Sequence, residues 1–235
     1  GIAHKWAPYL IAFGGDILVK TPGGKYHNGY DNEAGRNALK IYVDLVHKYN
    51  ADNLMVKHDS EAFALQNTAM FYREAWVIGY MKTHAPNVDY DTAPVPGQEK
   101  RGTTIISCNF YVPTTSKNSD GAWSFLSHLL KEKYAKSLMT DAGWIPSRID
   151  LDYSSVYAQH PQFRGFTNLP EGFVYSPFAS IEPADEIYTK LASRLATAFA
   201  DKSLLDNPEG IAKAISEAAN ETDSILKKYN LYGLK

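Results

Sequence analysis

His58, Asp59 and Ser60 supply the three side-chain types of a hydrolytic triad, but consecutive residues cannot face one another as base, orienter and nucleophile. The run reads instead as the start of a helix. A glycosidase needs two carboxyl groups facing each other across a sugar, roughly 5–9 Å apart. Asp89 and Asp91 share one face of an extended segment, and Asp150 and Asp152 lie in an irregular one; solvated loop charges are the better account of both pairs. His4, His27, His47, His58, His84, His128 and His160 show no paired ligand spacing, and Cys108 is the only cysteine. No metal or other cofactor is expected, and no internal disulfide can form. HExxH, GxSxG, GxGxxG and GxxxxGK(S/T) motifs are absent, since Gly23-Gly24-Lys25 is followed by Tyr26 and lacks the earlier glycine. Asn220-Glu221-Thr222 has the form of a glycosylation sequon but falls inside a predicted helix. The residues favour a binding protein over an enzyme.

Aromatic side chains are the abundant feature, with 16 Tyr, 10 Phe and 4 Trp making 13% of the 235 residues. Most should be core, because large rings pack efficiently, and the remainder could line a cleft. Lys plus Arg (24) nearly balances Asp plus Glu (26), and no long basic tract occurs, so there is no electrostatic footprint for nucleic acid or an anionic membrane. A neutral or zwitterionic partner fits better. At 44% hydrophobic and 21% charged, the composition is that of an ordinary globular chain. No run approaches the roughly 18–20 apolar residues of a membrane span. The opening Gly1-Ile2-Ala3-His4-Lys5-Trp6 lacks a signal-peptide pattern and resembles a cut inside a longer protein.

Several elements must position these side chains. Ala34, Ala38, Ile41, Tyr42, Leu45, Val46 and Tyr49 recur at helical spacing behind the capping candidates Asp31 and Asn32, predicting a helix near 33–49. Residues 60–66 read as a short helix and Ala69-Met70-Phe71-Tyr72 as a brief buried strand, turning at Arg73-Glu74 into a helical segment that carries Trp76. Asn87–Ala93 and Thr103–Val112 read as extended, with a Pro94/Pro96/Gly97 turn between them. Ser119 or Asp120 is expected to cap a helix bearing Ala122, Phe125, Leu126, Leu129 and Leu130, with a further helix through Met139 and a stop at Gly143 and Pro146. Residues 150–182 read as a long irregular connection with at most short helices. Pro183 and Asn207-Pro208 begin two terminal helices, one carrying Ile187, Tyr188, Leu191, Leu195 and Phe199, the other Ile211, Ile215, Ala218, Ile225 and Tyr229.

The order of these blocks resembles that of the family 1 extracellular solute-binding proteins of ABC importers, which include maltose-binding protein. The blocks are Trp6-Ala7-Pro8-Tyr9 with Phe13-Gly14-Gly15-Asp16; the helix around Ala38–Leu45; Phe63 through Asn67-Thr68-Ala69-Met70; and Trp76. Pro94-x-Pro96, Tyr111-Val112-Pro113 with Ser116-Lys117-Asn118, Ala122–Leu126 and Gly143–Arg148 follow in the same order. Asn67 stands where the family usually has glycine, and Ser107-Cys108-Asn109 where many relatives have small residues.

The resemblance implies an α/β, helix-rich, type II periplasmic-binding-protein-like C-terminal lobe plus a helical segment belonging to the N-terminal lobe. Residues 1–105 would form the first part of the C-terminal lobe, 106–150 would cross to pack with the N-terminal lobe, and 151–235 would return. The helix near 120–134 would then direct its apolar face at a lobe largely outside this chain, leaving an exposed, association-prone surface. The implied function is capture of a sugar or oligosaccharide outside the cytoplasm, in the periplasm or at the cell surface. Delivery to ABC permease subunits would follow by hinge closure, with any signal or lipid anchor upstream. The implied contacts are Trp76, as a stacking ring, with Arg73, Glu74, Trp6, Tyr9, Asn109 and Tyr188. A carbohydrate hydrolase and a ligand-sensing module for a membrane receptor are the alternatives.

Overall fold

The computed structural model describes residues 2–56, 58–107 and 109–234. Cys108 therefore lies outside the described residues. Contacts divide the chain into two compact units, one of residues 1–57, 95–106 and 170–235 and one of residues 58–94 and 107–169.

The first unit is built from helices α1 (Ile2–Ala12), α2 (Glu33–His47), α9 (Ala184–Ala200) and α10 (Pro208–Lys228). Two small sheets join them: β1 (Leu18–Lys20) pairs antiparallel with β2 (Tyr26–Asn28), and β3 (Gly102–Ile105) pairs parallel with β4 (Val174–Pro177). Asn32 accepts a hydrogen bond from the Gly35 N–H to cap α2, and Asn207 does the same from Gly210 ahead of Pro208. The core joins Trp6 and Leu10 of α1, Leu39 and Val43 of α2, Leu191, Leu195 and Phe199 of α9 and Ile215 of α10. Tyr42 stacks on Phe199 at 3.8 Å. Inside this core the buried Tyr30 hydroxyl shares a hydrogen bond with Thr222 at 2.7 Å, so the threonine of the sequon-like triplet is 2% exposed and packed.

The second unit holds α3 (Asp59–Ala64), α4 (Val77–His84), α5 (Ser119–Leu129), α6 (Glu132–Ala142), α7 (Ser154–Gln159) and the single turn α8 (Arg164–Thr167). Its interior is smaller and split. Ala75, Ile78, Met139, Val156 and Phe163 form one cluster, while Val77, Met81 and Ala85 form another with Phe63, Phe71 and Tyr90 around them. Asn118, one residue before the expected cap, accepts from Gly121 to start α5. No residue of α5 is buried.

Residues 2–12, given no element from the sequence, are a helix despite Pro8. Three expectations change. Residues 69–72 form no strand, and Met70 is 86% exposed instead of buried. The extended reading of 103–112 shrinks to β3, and 87–93 joins no ladder. The stretch 150–182 contains β4 as well as short helices.

Candidate binding site

The second unit gathers Arg73, Glu74 and Trp76 into one hydrogen-bonded group. The Glu74 and Ala75 carbonyls accept from Val77 and Ile78, forming the turn that opens α4, with Trp76 at its N-terminal boundary. Glu74 Oε2 accepts from the indole Nε1 of Trp76 at 3.0 Å and from Arg73 Nη1 at 3.3 Å. The Arg73 guanidinium lies over the Trp76 ring, 5.0 Å from its centroid. On its far side Arg73 Nε donates to Asp59 Oδ1 at 3.0 Å. Tyr80 meets the indole edge-on, with centroids 6.0 Å apart. From behind, the backbone of Gly143, in the left-handed region at φ 72°, packs against that of Ala75 and Trp76. The indole is half-buried, its N–H partnered. Such a group offers an apolar ring beside charged hydrogen-bonding heads, the pairing that a polyhydroxylated ligand requires.

Asn109 is exposed elsewhere in this unit and donates to the Ser107 hydroxyl at 3.2 Å. The remaining three expected residues belong to the first unit. Trp6 is 0% exposed and meets Tyr30 edge-on at 5.8 Å; it is core, because the face of α1 that carries it with Ala3, Ala7 and Leu10 packs inward. Tyr9 is half-buried, edge-on to Tyr42 at 5.9 Å. Tyr188 stacks on Phe178 at 3.8 Å, and the His4 ring lies against both, 4.5 Å from Phe178 and 5.2 Å from Tyr188. Burial, with the nearby Asp16 charge, pushes the Tyr188 hydroxyl up to about 12.

Two partners escape the sequence. Asp59 reaches Arg73 across fourteen positions. Asp16 accepts from the Ile17 N–H at 2.7 Å, and the Ser176 hydroxyl lies 2.8 Å from each of its oxygens, 160 positions away. Neither pair has a local signature beyond polar residues beside a helix start and a glycine turn. Burial raises the Asp16 carboxyl above its ordinary value, opposed by Ser176, Ile17 and the Lys100 charge. The sign follows from linkage: in the window just above the ordinary carboxylate value the folded chain holds a proton that the unfolded chain has released. That contribution is present at the acid end and is lost as pH rises through the folded value. Urea midpoints of Asp16→Asn should therefore gain on wild type as pH rises from the ordinary carboxylate value through the raised one. Parallel pH profiles would remove Asp16 from this account.

Among the described residues no group of three or more histidine, cysteine, aspartate or glutamate side chains could hold a metal ion. No helix there is long and apolar enough to cross a membrane.

This helix-rich α/β architecture is that of the type II periplasmic-binding-protein-like folds. The chain belongs to the bacterial extracellular solute-binding protein family, whose family model matches residues 3–165. Among curated proteins no sequence matches it significantly. Among solved structures it is similar to an ABC transporter solute-binding protein from Thermotoga lettingae TMO bound with α-D-tagatose (22% identity, TM-score 0.69, covering 95% of this chain and 56% of that one). It is also similar to the maltose–maltodextrin binding protein of Alicyclobacillus acidocaldarius (19% identity, TM-score 0.70, covering 93% and 60%). A third likeness is to the GacH receptor of Streptomyces glaucescens, solved unliganded and with acarbose (20% identity, TM-score 0.68, covering 96% and 57%). The chain thus spans between 56% and 60% of the length of these structures.

Proposed function

We propose that this chain is part of an extracytoplasmic carbohydrate-binding protein, in the periplasm or at the cell surface, that captures a sugar or oligosaccharide and hands it to an ABC import permease. The observation that carries the reading is the Arg73–Glu74–Trp76 group, a half-buried indole with its hydrogen-bonding heads held beside it. Tyr9, Tyr188 and Asn109 are proposed as further contacts; Trp6, 0% exposed, is part of the first unit's core and is not. The α-D-tagatose and acarbose in two structures of similar fold agree with this choice of ligand. Capture works by hinge closure: ligand between two lobes stabilises the closed form by its higher affinity for that form. Periplasmic binding proteins as a class move in this way, and no covalent step is involved. In the lobe assignment that goes with this proposal, 1–105 and 151–235 belong together and 106–150 crosses over, a division different from that of the two compact units, in which 58–94 and 151–169 group with 107–150. The lobe assignment is supported by α5, which buries none of its own residues within the chain.

Titration of the intrinsic tryptophan fluorescence with glucose, galactose, maltose and maltotriose tests the proposal. A saturable change is expected with at least one sugar, with Kd raised about tenfold or more in Trp76→Ala, as for loss of a buried aromatic anchor. The sugar should be recovered chemically unchanged. A saturable change that survives Trp76→Ala unaltered moves the site elsewhere, and silence toward all four sinks the carbohydrate reading for this chain.

A further inference from the structure

We infer that Glu74 and Arg73 serve the site through Trp76, as positioning residues that fix the indole and reserve one of its faces for the ligand; this rests on the stacking role proposed above. One carboxylate oxygen of Glu74 takes both the indole N–H, at 3.0 Å, and Arg73 Nη1, at 3.3 Å. The guanidinium in turn covers one ring face at 5.0 Å and is anchored behind by Asp59 at 3.0 Å. A sugar stacking on Trp76 must use the face opposite Arg73. An unrestrained indole would lose the freedom of two torsions when a sugar settles on it, whereas this one is ordered beforehand, so less of the stacking energy is spent on ordering. Side-chain exposure fits the division of labour: Arg73 and Asp59 are 26% and 20% exposed, and Glu74 is 59% exposed. An arginine is suited to its place because its planar head can stack and hydrogen-bond at once, which a lysine cannot do.

Labelling with 5-fluorotryptophan gives one fluorine resonance for each of the 4 tryptophans, and Trp76→Phe assigns the relevant line. Without ligand, Glu74→Ala and Arg73→Ala are each expected to shift or broaden the Trp76 line while leaving those of Trp6, Trp123 and Trp144 in place. Glu74→Gln, which keeps an acceptor oxygen, should restore most of the wild-type position. Solvent exchange of the Trp76 indole proton should accelerate about fivefold or more in Glu74→Ala, the effect of losing a charge-assisted hydrogen bond near the surface. If Arg73→Ala also moves the Trp123 and Trp144 lines, the second unit has unfolded, and Arg73→Lys takes its place with the same expected effect on Trp76 alone. An unmoved Trp76 line in Glu74→Ala and in the arginine variant overturns the inference. Maltotriose addition separates the stacking role from the positioning role. A line that responds to Glu74→Ala but not to sugar sinks the stacking role and keeps the positioning, and the reverse response sinks the positioning.

Discussion

Above about 10 µM the 235-residue chain is expected to self-associate, and the double substitution Trp123→Lys/Phe125→Lys is expected to keep it monomeric in sedimentation or light-scattering measurements. The two residues are two positions apart and so project from opposite sides of α5, yet Trp123 is 56% and Phe125 60% exposed. Ala122, Leu126 and Leu129, on the face between them, are only half-buried. Phe110 and Tyr111 before it, Leu130 at its end and Trp144, Ile145 and Ile149 beyond α6 are exposed as well. With roughly half or more of each of the five rings in water, the uncovered aromatic surface totals on the order of 500 Å², spread over more than one face of this region. Burial at roughly 25 cal/mol per Å² gives a gross gain of several kcal/mol for any partner that covers it. Lysine at two half-exposed positions should leave folding nearly unchanged, because little packing is removed. A wild-type chain that stays monomeric at ten times that concentration would withdraw the support that α5 gives to the proposed lobe assignment of residues 106–150.

How much of the fold is legible in the sequence depends on distance along the chain. Helix α2 announces itself through Asn32 and α10 through Asn207-Pro208, each a short-range capping pattern followed by helical spacing, but the inward face of α2 is rotated from the expected one: Ala38 is buried, Leu39 and Val43 pack beside it, and Ile41 and Tyr49 are exposed. Helix α1 has the same periodicity in Ala3, Trp6, Ala7, Leu10 and Ile11, but Pro8, which removes a donor, hides it; enough burial on that face outweighs the lost hydrogen bond. The parallel pairing of Gly102–Ile105 with Val174–Pro177 joins segments some seventy positions apart and leaves no local mark, so β4 looks irregular in sequence. At the candidate site the adjacency of Arg73, Glu74 and Trp76 is readable, since a turn necessarily brings neighbours together. The anchoring of Arg73 by Asp59, and of Asp16 by Ser176, is not, because side chains from distant segments meet only after the units have folded.

Gly143→Ala is expected to lower the stability of the second unit by about 2–4 kcal/mol and to displace the Trp76 fluorine line even in the absence of sugar. Two effects combine at this residue. At φ 72° it ends α6 in the left-handed region, where a Cβ costs about 1 kcal/mol or somewhat more. That Cβ would also lie 2.7 Å from the Ala75 carbonyl oxygen and 2.7 Å from Trp76 Cα, so backbone must move, and it is the backbone that carries the candidate stacking ring. Gly172 separates the two effects. It has nearly the same conformation, φ 74°, but nothing within 4 Å of where its Cβ would be, so Gly172→Ala should show the conformational cost alone. Gly172 belongs to the first unit, so each variant is read in its own unit's urea transition, and the excess loss in Gly143→Ala over that in Gly172→Ala measures the contact between the end of α6 and the turn opening α4. The Trp6 line, from the first unit, serves as the internal control for global unfolding. Equal destabilisation in the two variants, with the Trp76 line at its wild-type position, would mean that the turn yields without strain and that α6 does not help to set the ring. An excess in Gly143→Ala accompanied by a moved Trp76 line would tie the small core of Ala75, Ile78, Met139, Val156 and Phe163 directly to the geometry available to a sugar.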